Sequence, residues 1–146
     1  MMKIKISKLL KILALLLVVP GTFINAQDWK QYYQQMATDF QSGKNNAAIE
    51  NGEKAVELLC KTDTVTGDYA ALLNNLSYIY LVEKQFDRSI NGYHKVLRIV
   101  EPVLGKEHAI YLKSYCFLGE AYMNIGQFDK AEKIFSEALK HQKKSP

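Results

Sequence analysis

The chain has 146 residues, 48% of them apolar, with 19 Lys and Arg against 15 Asp and Glu. Such a basic excess would ordinarily suggest a nucleic-acid surface, but four of the lysines (Lys3, Lys5, Lys8 and Lys11) lie in the first 26 residues, and from Gln27 onward the two counts are equal. The longest basic run after that point, Lys143-Lys144, is too short to track a phosphate backbone, so nucleic acid is not an expected partner.

The opening segment reads as a leader. Its four lysines precede the unbroken apolar run Ile12 to Val19, Pro20 and Gly21 break any helix, and Ile24-Asn25-Ala26 ends on a small residue. That order of basic, apolar and small residues is a secretory signal peptide over residues 1–26, cleaved after Ala26. The apolar stretch is far short of the roughly 20 residues a membrane-spanning helix needs, so no stable membrane insertion is expected after cleavage. No Cys follows the run, which argues against a lipid anchor. The expected location is periplasmic or extracellular.

Residues 27–146 are long enough for one domain with its own core. Apolar residues recur at i, i+3, i+4 and i+7, the spacing of one helix face, and strand-like alternation is absent. The spacing predicts six helices, over 28–42, 45–60, 68–83, 86–101, 109–124 and 128–142. Ser42-Gly43 separates the first two, the stretch 62–67 the second and third, and Pro102, Gly105 and Lys106-Glu107-His108 the fourth and fifth. Thr66 or Asp68 can cap the third helix. Asp87 and Asp129 fall in the first turns of their helices, where a carboxylate meets the positive end of the macrodipole.

From Leu73 to Ala138 one pattern is written twice, 42 residues apart. Leu76 matches Leu118, Tyr80 matches Tyr122, and Gln85-Phe86-Asp87 returns as Gln127-Phe128-Asp129. The second copy places Gly119 beside Leu118, where a missing side chain lets the partner helix approach closely. Ala131 does the same on the sixth helix, beside Phe135 and Ala138. Helix four carries the wide apolar face Ile90, Tyr93, Val96, Leu97, Ile99 and Val100, as a helix packed on two sides requires. Helix six has Glu132, Lys133, Ser136, Glu137 and Lys140 on its other side, the mark of the solvated end of a stack.

Tyr115-x2-Leu118-Gly119-x2-Tyr122 followed by Ala131-x3-Phe135-x2-Ala138 resembles the helix-turn-helix signature of the tetratricopeptide repeat. The 42-residue period, Leu72-Leu73-Asn74-Asn75-Leu76 and Val103-Leu104-Gly105-Lys106-Glu107-His108 look like the long variant of kinesin-light-chain-like proteins. The resemblance implies an all-α solenoid of three repeats, about 28–62, 68–103 and 109–142. The first is divergent, with Tyr33, Met36, Ala37 and Phe40 facing Ala48, Gly52, Ala55, Val56 and Leu59. The signature positions are Leu76, Tyr80, Phe86, Leu118, Gly119, Tyr122, Phe128, Ala131, Phe135 and Ala138.

The same resemblance implies a concave groove facing a peptide or protein partner. Its lining would be Ala71, Asn74, Tyr78, Leu81 and Val82, then Lys113, Cys116, Glu120, Met123 and Asn124, with Gln34, Thr38 and Gln41 near it in the first repeat. Asn74 can serve a peptide backbone through its amide donor and acceptor, or it can bond a neighbouring helix. The paired Lys and Asn of a chaperone-tail carboxylate clamp are missing. No catalytic residue, metal site or cofactor is expected: His94, His108 and His141 lack ligand spacing, and Glu50 with Glu53 reads as a solvated helix face. Cys60 and Cys116, on the second and fifth helices, are expected to be free and largely buried. Two alternatives stay open. One is the periplasmic sensor portion of a longer signalling regulator, with a membrane helix and output domain after Pro146, and the other is a structural oligomerisation unit.

Overall fold

The computed structural model describes residues 28–61 and 67–143. The leader reading and the Thr66 cap lie outside them. Six helices follow in order: α1 (Asp28–Gln41), α2 (Asn45–Cys60), α3 (Gly67–Val82), α4 (Phe86–Leu104), α5 (Ala109–Asn124) and α6 (Phe128–Gln142). There is no strand among the described residues. Each helix packs chiefly on its sequence neighbours, giving three helix pairs stacked side by side.

The turn inside each pair is one device used three times. Gly43, Lys84 and Gly126 have φ of 73°, 59° and 75°, the left-handed conformation that ends a helix. Their N–H groups bond three residues back, to Phe40, Leu81 and Met123, and the next residue's N–H reaches five back, to Asp39, Tyr80 and Tyr122. These paired bonds satisfy carbonyls that the helix ends would otherwise strand and reverse the chain within three residues, so the helices of a pair run antiparallel. Asp39, a buried carboxylate the sequence pattern did not single out, ties α1 to α2 by accepting from Gln35 at 3.0 Å and Asn51 at 2.9 Å.

Two apolar clusters meet at α3. Leu72, Leu76, Ile79 and Tyr80 join Trp29, Met36, Ala48, Ala55 and Leu59 on one side. Ala70 and Leu73 join Tyr93, Val96, Val100, Tyr111 and Leu118 on the other. Side chains as fully enclosed as Met36 and Leu72 each contribute about 1.5–3 kcal/mol through removal from water. α4 approaches α3 closely where Gly92 lies against Ser77.

Four details depart from expectation. α4 runs through Pro102 to Leu104 instead of stopping at residue 101. The proline sacrifices one backbone bond one turn before the end, and the helix closes only at Gly105, φ 78°, whose N–H bonds Glu101. His108, read as linker, caps α5, its Nδ1 accepting from the Ile110 N–H at 3.2 Å. Cys60 and Cys116 are both free, but Cys60 is exposed because it ends α2 on its solvent side. Phe128 is 65% exposed while Phe86, its counterpart one repeat earlier, is half-buried.

The stack is asymmetric across its two faces. The first helices touch: Asn75 Nδ2 donates to Tyr33 at 2.7 Å, the Ser114 hydroxyl to Asn74 Oδ1 at 2.8 Å, and the rings of Tyr78 and Phe117 lie 4.9 Å apart. The second helices α2 and α4 stand apart around a cavity of about 450 Å³ lined by residues including Glu53, Val56, Asn91 and Lys95. It is bridged by Arg88, which pairs with Glu53 and lies 4.2 Å over the Tyr80 ring. The Tyr80 hydroxyl donates to the same Glu53 at 2.9 Å. Contact on one face and separation on the other bend the stack, with α1, α3 and α5 on the inside.

Candidate functional site: the inner face of the stack

Because α3 is packed by α1 and α2 on one flank and by α4 and α5 on the other, only a narrow stripe of it reaches solvent. That stripe is Asp68, Ala71, Asn75, Tyr78 and Val82, spaced three or four residues apart along one helix line. Two recesses open beside it. One, about 140 Å³, lies between α1 and α3 and is lined by Met36, Ala37, Phe40, Gln41, Asn75 and Tyr78. The other, about 260 Å³ and largely apolar, lies between α3, α5 and the end of α4, with Ala71, Asn74, Asn75, Leu104, Ile110 and Lys113 among its walls. Asn75 borders both.

Three aromatic rings from three helices run across this face. Phe40 meets Tyr78 edge-on at 6.0 Å, Tyr78 tilts against Phe117 at 4.9 Å, and Tyr93 stacks beneath Phe117 at 5.8 Å. The Tyr93 side chain is fully buried, its hydroxyl without a hydrogen-bond partner among the described residues. Burial, with Glu120 and Tyr78 nearby, pushes its pKa up, so it stays neutral. Lys113 Nζ sits 5.8 Å over the Phe117 ring. Glu120 and Lys113 are opposite charges on one helix, so the face is mixed in charge. Desolvation pushes the half-buried Cys116 thiol up, away from the reactive thiolate.

The structure distributes the sequence-derived lining unevenly. Ala71, Tyr78, Val82, Lys113, Met123 and Asn124 are exposed, and Cys116 and Glu120 are half-buried. Leu81 is buried at 6% and points into the core, so it lines no groove. Asn74 is half-buried and committed to Ser114 on α5, the helix-bonding role left open for it. Its neighbour Asn75 takes the exposed position, using one amide N–H on the Tyr33 hydroxyl. Asn124 turns its amide back onto the Glu120 carbonyl at 2.9 Å. Gln34, Thr38 and Gln41 are exposed on α1.

Phe40, Phe117 and Ile110 were missed as lining residues. The signal was available: once Leu73, Leu76 and Tyr80 define the core line of α3, the opposite line passes through Ala71, Asn75 and Tyr78, not through Asn74 and Leu81. Nothing on this face resembles a catalytic constellation. Among the described residues no group of three His, Cys, Asp or Glu side chains could hold a metal, and no helix is long and apolar enough to cross a membrane.

Residues 68–144 match the family model described as tetratricopeptide repeat. No curated protein matches the chain significantly. Among solved structures, BtubC (BKLC) from P. vanneervenii is similar at 21% identity and a TM-score of 0.75, over 80% of this chain and 46% of that one. The nearly identical TPR-like repeats of a Podosopora anserina protein described as a kinesin light chain give 22% identity and a TM-score of 0.71, over 84% and 58%. MamA gives 25% and 0.64, over 82% and 57%. The chain thus spans about half the length of these structures.

Proposed function

The chain belongs to the tetratricopeptide repeat family, and from that premise we propose that it is a non-catalytic protein-interaction module holding an extended peptide or protein segment against the face formed by α1, α3 and α5. The observation that carries this reading is the continuous exposed stripe of α3 with a recess on each side and Asn75 between them. An extended strand repeats side-chain direction every second residue, so a segment crossing Asn75 can place one apolar side chain toward each recess. The amide oxygen of Asn75 would accept from the segment's backbone N–H. The aromatic run Phe40, Tyr78 and Phe117 supplies rigid apolar surface at low entropic cost. With Lys113 and Glu120 both present, the favoured segment is near neutral and rich in aliphatic or aromatic residues.

The basic, apolar and small-residue order of the leader supports export of the module, outside the described residues. The binding reading is tested by selecting from a displayed random-peptide library on the immobilised protein, then measuring affinity of the selected peptides. Ala71→Arg fills the larger recess from an exposed position and should abolish binding with an unchanged melting curve. Lys95→Ala, on the outer face, should leave affinity alone. Peptides indifferent to Ala71→Arg and lost with Lys95→Ala would move the site to the outer face.

A further inference from the structure

The outer face of the stack shows how this chain holds a guanidinium. Arg88 pairs with Glu53 and lies 4.2 Å over the Tyr80 ring, whose hydroxyl donates to the same carboxylate at 2.9 Å. A planar cation is thus held by an acid and by the face of an aromatic ring. The inner face carries the acid and the rings of such a trio without the cation. Glu120 on α5 is half-buried and makes no ion pair among the described residues. Asn124 bonds its backbone carbonyl and not its carboxylate.

The surroundings of Glu120 suit a cation from outside the chain. Phe117 is its neighbour one turn back on α5, and the Tyr78 ring lies 4.9 Å from that of Phe117. Beneath them the floor is dry: Tyr93 stacks under Phe117 at 5.8 Å, fully buried, and its hydroxyl bonds neither Glu120 nor any other group among the described residues. Glu120 and Tyr78 both lie close enough to that hydroxyl to push its pKa up, so the three groups converge. A charge beside such a floor is screened less than one in open water. Lys113 does not neutralise Glu120. It stands seven residues earlier, about 10 Å along the helix axis, with its Nζ 5.8 Å over the Phe117 ring. The ring left for a partner is Tyr78, 36% exposed. Val82 and Met123, both exposed, add apolar surface for an alkyl stem.

We propose that Glu120 and Tyr78 form a subsite for an arginine side chain of the bound segment, its guanidinium paired with the carboxylate and stacked on the ring. The inference rests on the peptide-binding reading and names the residue that sets the segment's register on the inner face. Lysine fits less well, because a compact ammonium can pair with the carboxylate but cannot lie flat on a ring. A segment with one such arginine, balanced by an acid within reach of Lys113, stays near neutral.

The test takes peptides selected on the parent from a displayed random library. Each is titrated by calorimetry as selected and with citrulline, the same shape without the charge, in place of arginine. The parent should bind the arginine form about tenfold more tightly than the citrulline form, with a lysine form between them. Glu120→Gln should keep the parental melting curve, lose that tenfold preference and bind the citrulline form as the parent does. An arginine preference that survives Glu120→Gln overturns the inference. So do selected peptides that lack arginine, and if Ala71→Arg still abolishes their binding the inner face stands as the site. Peptides indifferent to Ala71→Arg, or a library that yields no binder, overturn the peptide-binding reading and the inference with it.

Discussion

Gly92→Ala is the sharpest perturbation the helix packing offers. A Cβ built on Gly92 falls 1.9 Å from Ser77 Oγ and 3.0 Å from Ser77 Cβ, with the Ser77 Cα at 3.7 Å. Ser77 is fully enclosed, and its hydroxyl is held by donation to the Leu73 carbonyl at 2.6 Å. Rotating the hydroxyl away would break that bond and still leave the Cβ contact, so α3 and α4 must separate. Overpacking of this kind costs about 1–3 kcal/mol, against about 1 kcal/mol gained in helix propensity on replacing glycine. A 1.9 Å contact against an enclosed side chain puts the cost in the upper part of the overpacking range, about 2–3 kcal/mol, so the net loss should be about 1–2 kcal/mol, a fall of about 3–10 °C in a thermal melt followed by circular dichroism. In a Ser77→Gly background the same change should lose most of its cost, giving a coupling of about 1 kcal/mol or more. Gly119→Ala should cost less, because its Cβ meets the Phe135 ring edge at 2.9 Å and Ile134 Cγ2 at 3.0 Å, side-chain ends that can shift. A parental melt for Gly92→Ala, or an equal loss in both backgrounds, would refute the close-approach argument.

Two further outcomes follow from particular groups. Burial, with Arg98 and Lys130 nearby, holds His94 below the ordinary imidazole value of 6.5, and its Nε2 lies 3.0 Å from the Tyr122 hydroxyl. The unfolded chain therefore takes up the proton first, so stability should fall as pH drops below about 6.5. Denaturant melts between about pH 7 and pH 5 should show that loss reduced in His94→Gln, and an unreduced loss would assign it elsewhere. If the leader is removed during export, N-terminal analysis of the secreted protein should begin at Gln27; a chain retaining Met1 after export would contradict that reading.

The elements were legible because the physics that sets them is local. Stripes such as Tyr115, Leu118 and Tyr122 define a helix face, and the 42-residue recurrence marks the unit that repeats. The stopping point of α4 was not legible, because Pro102 ends a helix only where nothing else supports it, and here Gly105 does the closing. The inner face was half legible. Tyr78, Ala71 and Lys113 follow from helix phase, but Asn74 and Asn75 are chemically identical neighbours. Which one reaches solvent depends on the Ser114 hydroxyl 40 residues away, a contact no local pattern encodes. Phe128 shows the same limit: its spacing copies Phe86, while its exposure depends on what lies beyond it in space.

The peptide-binding reading is tested most directly by titrating isotope-labelled protein with a selected peptide and following backbone amide resonances. The account predicts shifts concentrated at Ala71, Asn75 and Tyr78 on α3, at Lys113 and Phe117 on α5, and at Phe40 and Gln41 on α1. Shifts clustered instead on α2 and α4 around Glu53, Arg88 and Lys95, with the α3 stripe silent, would contradict it.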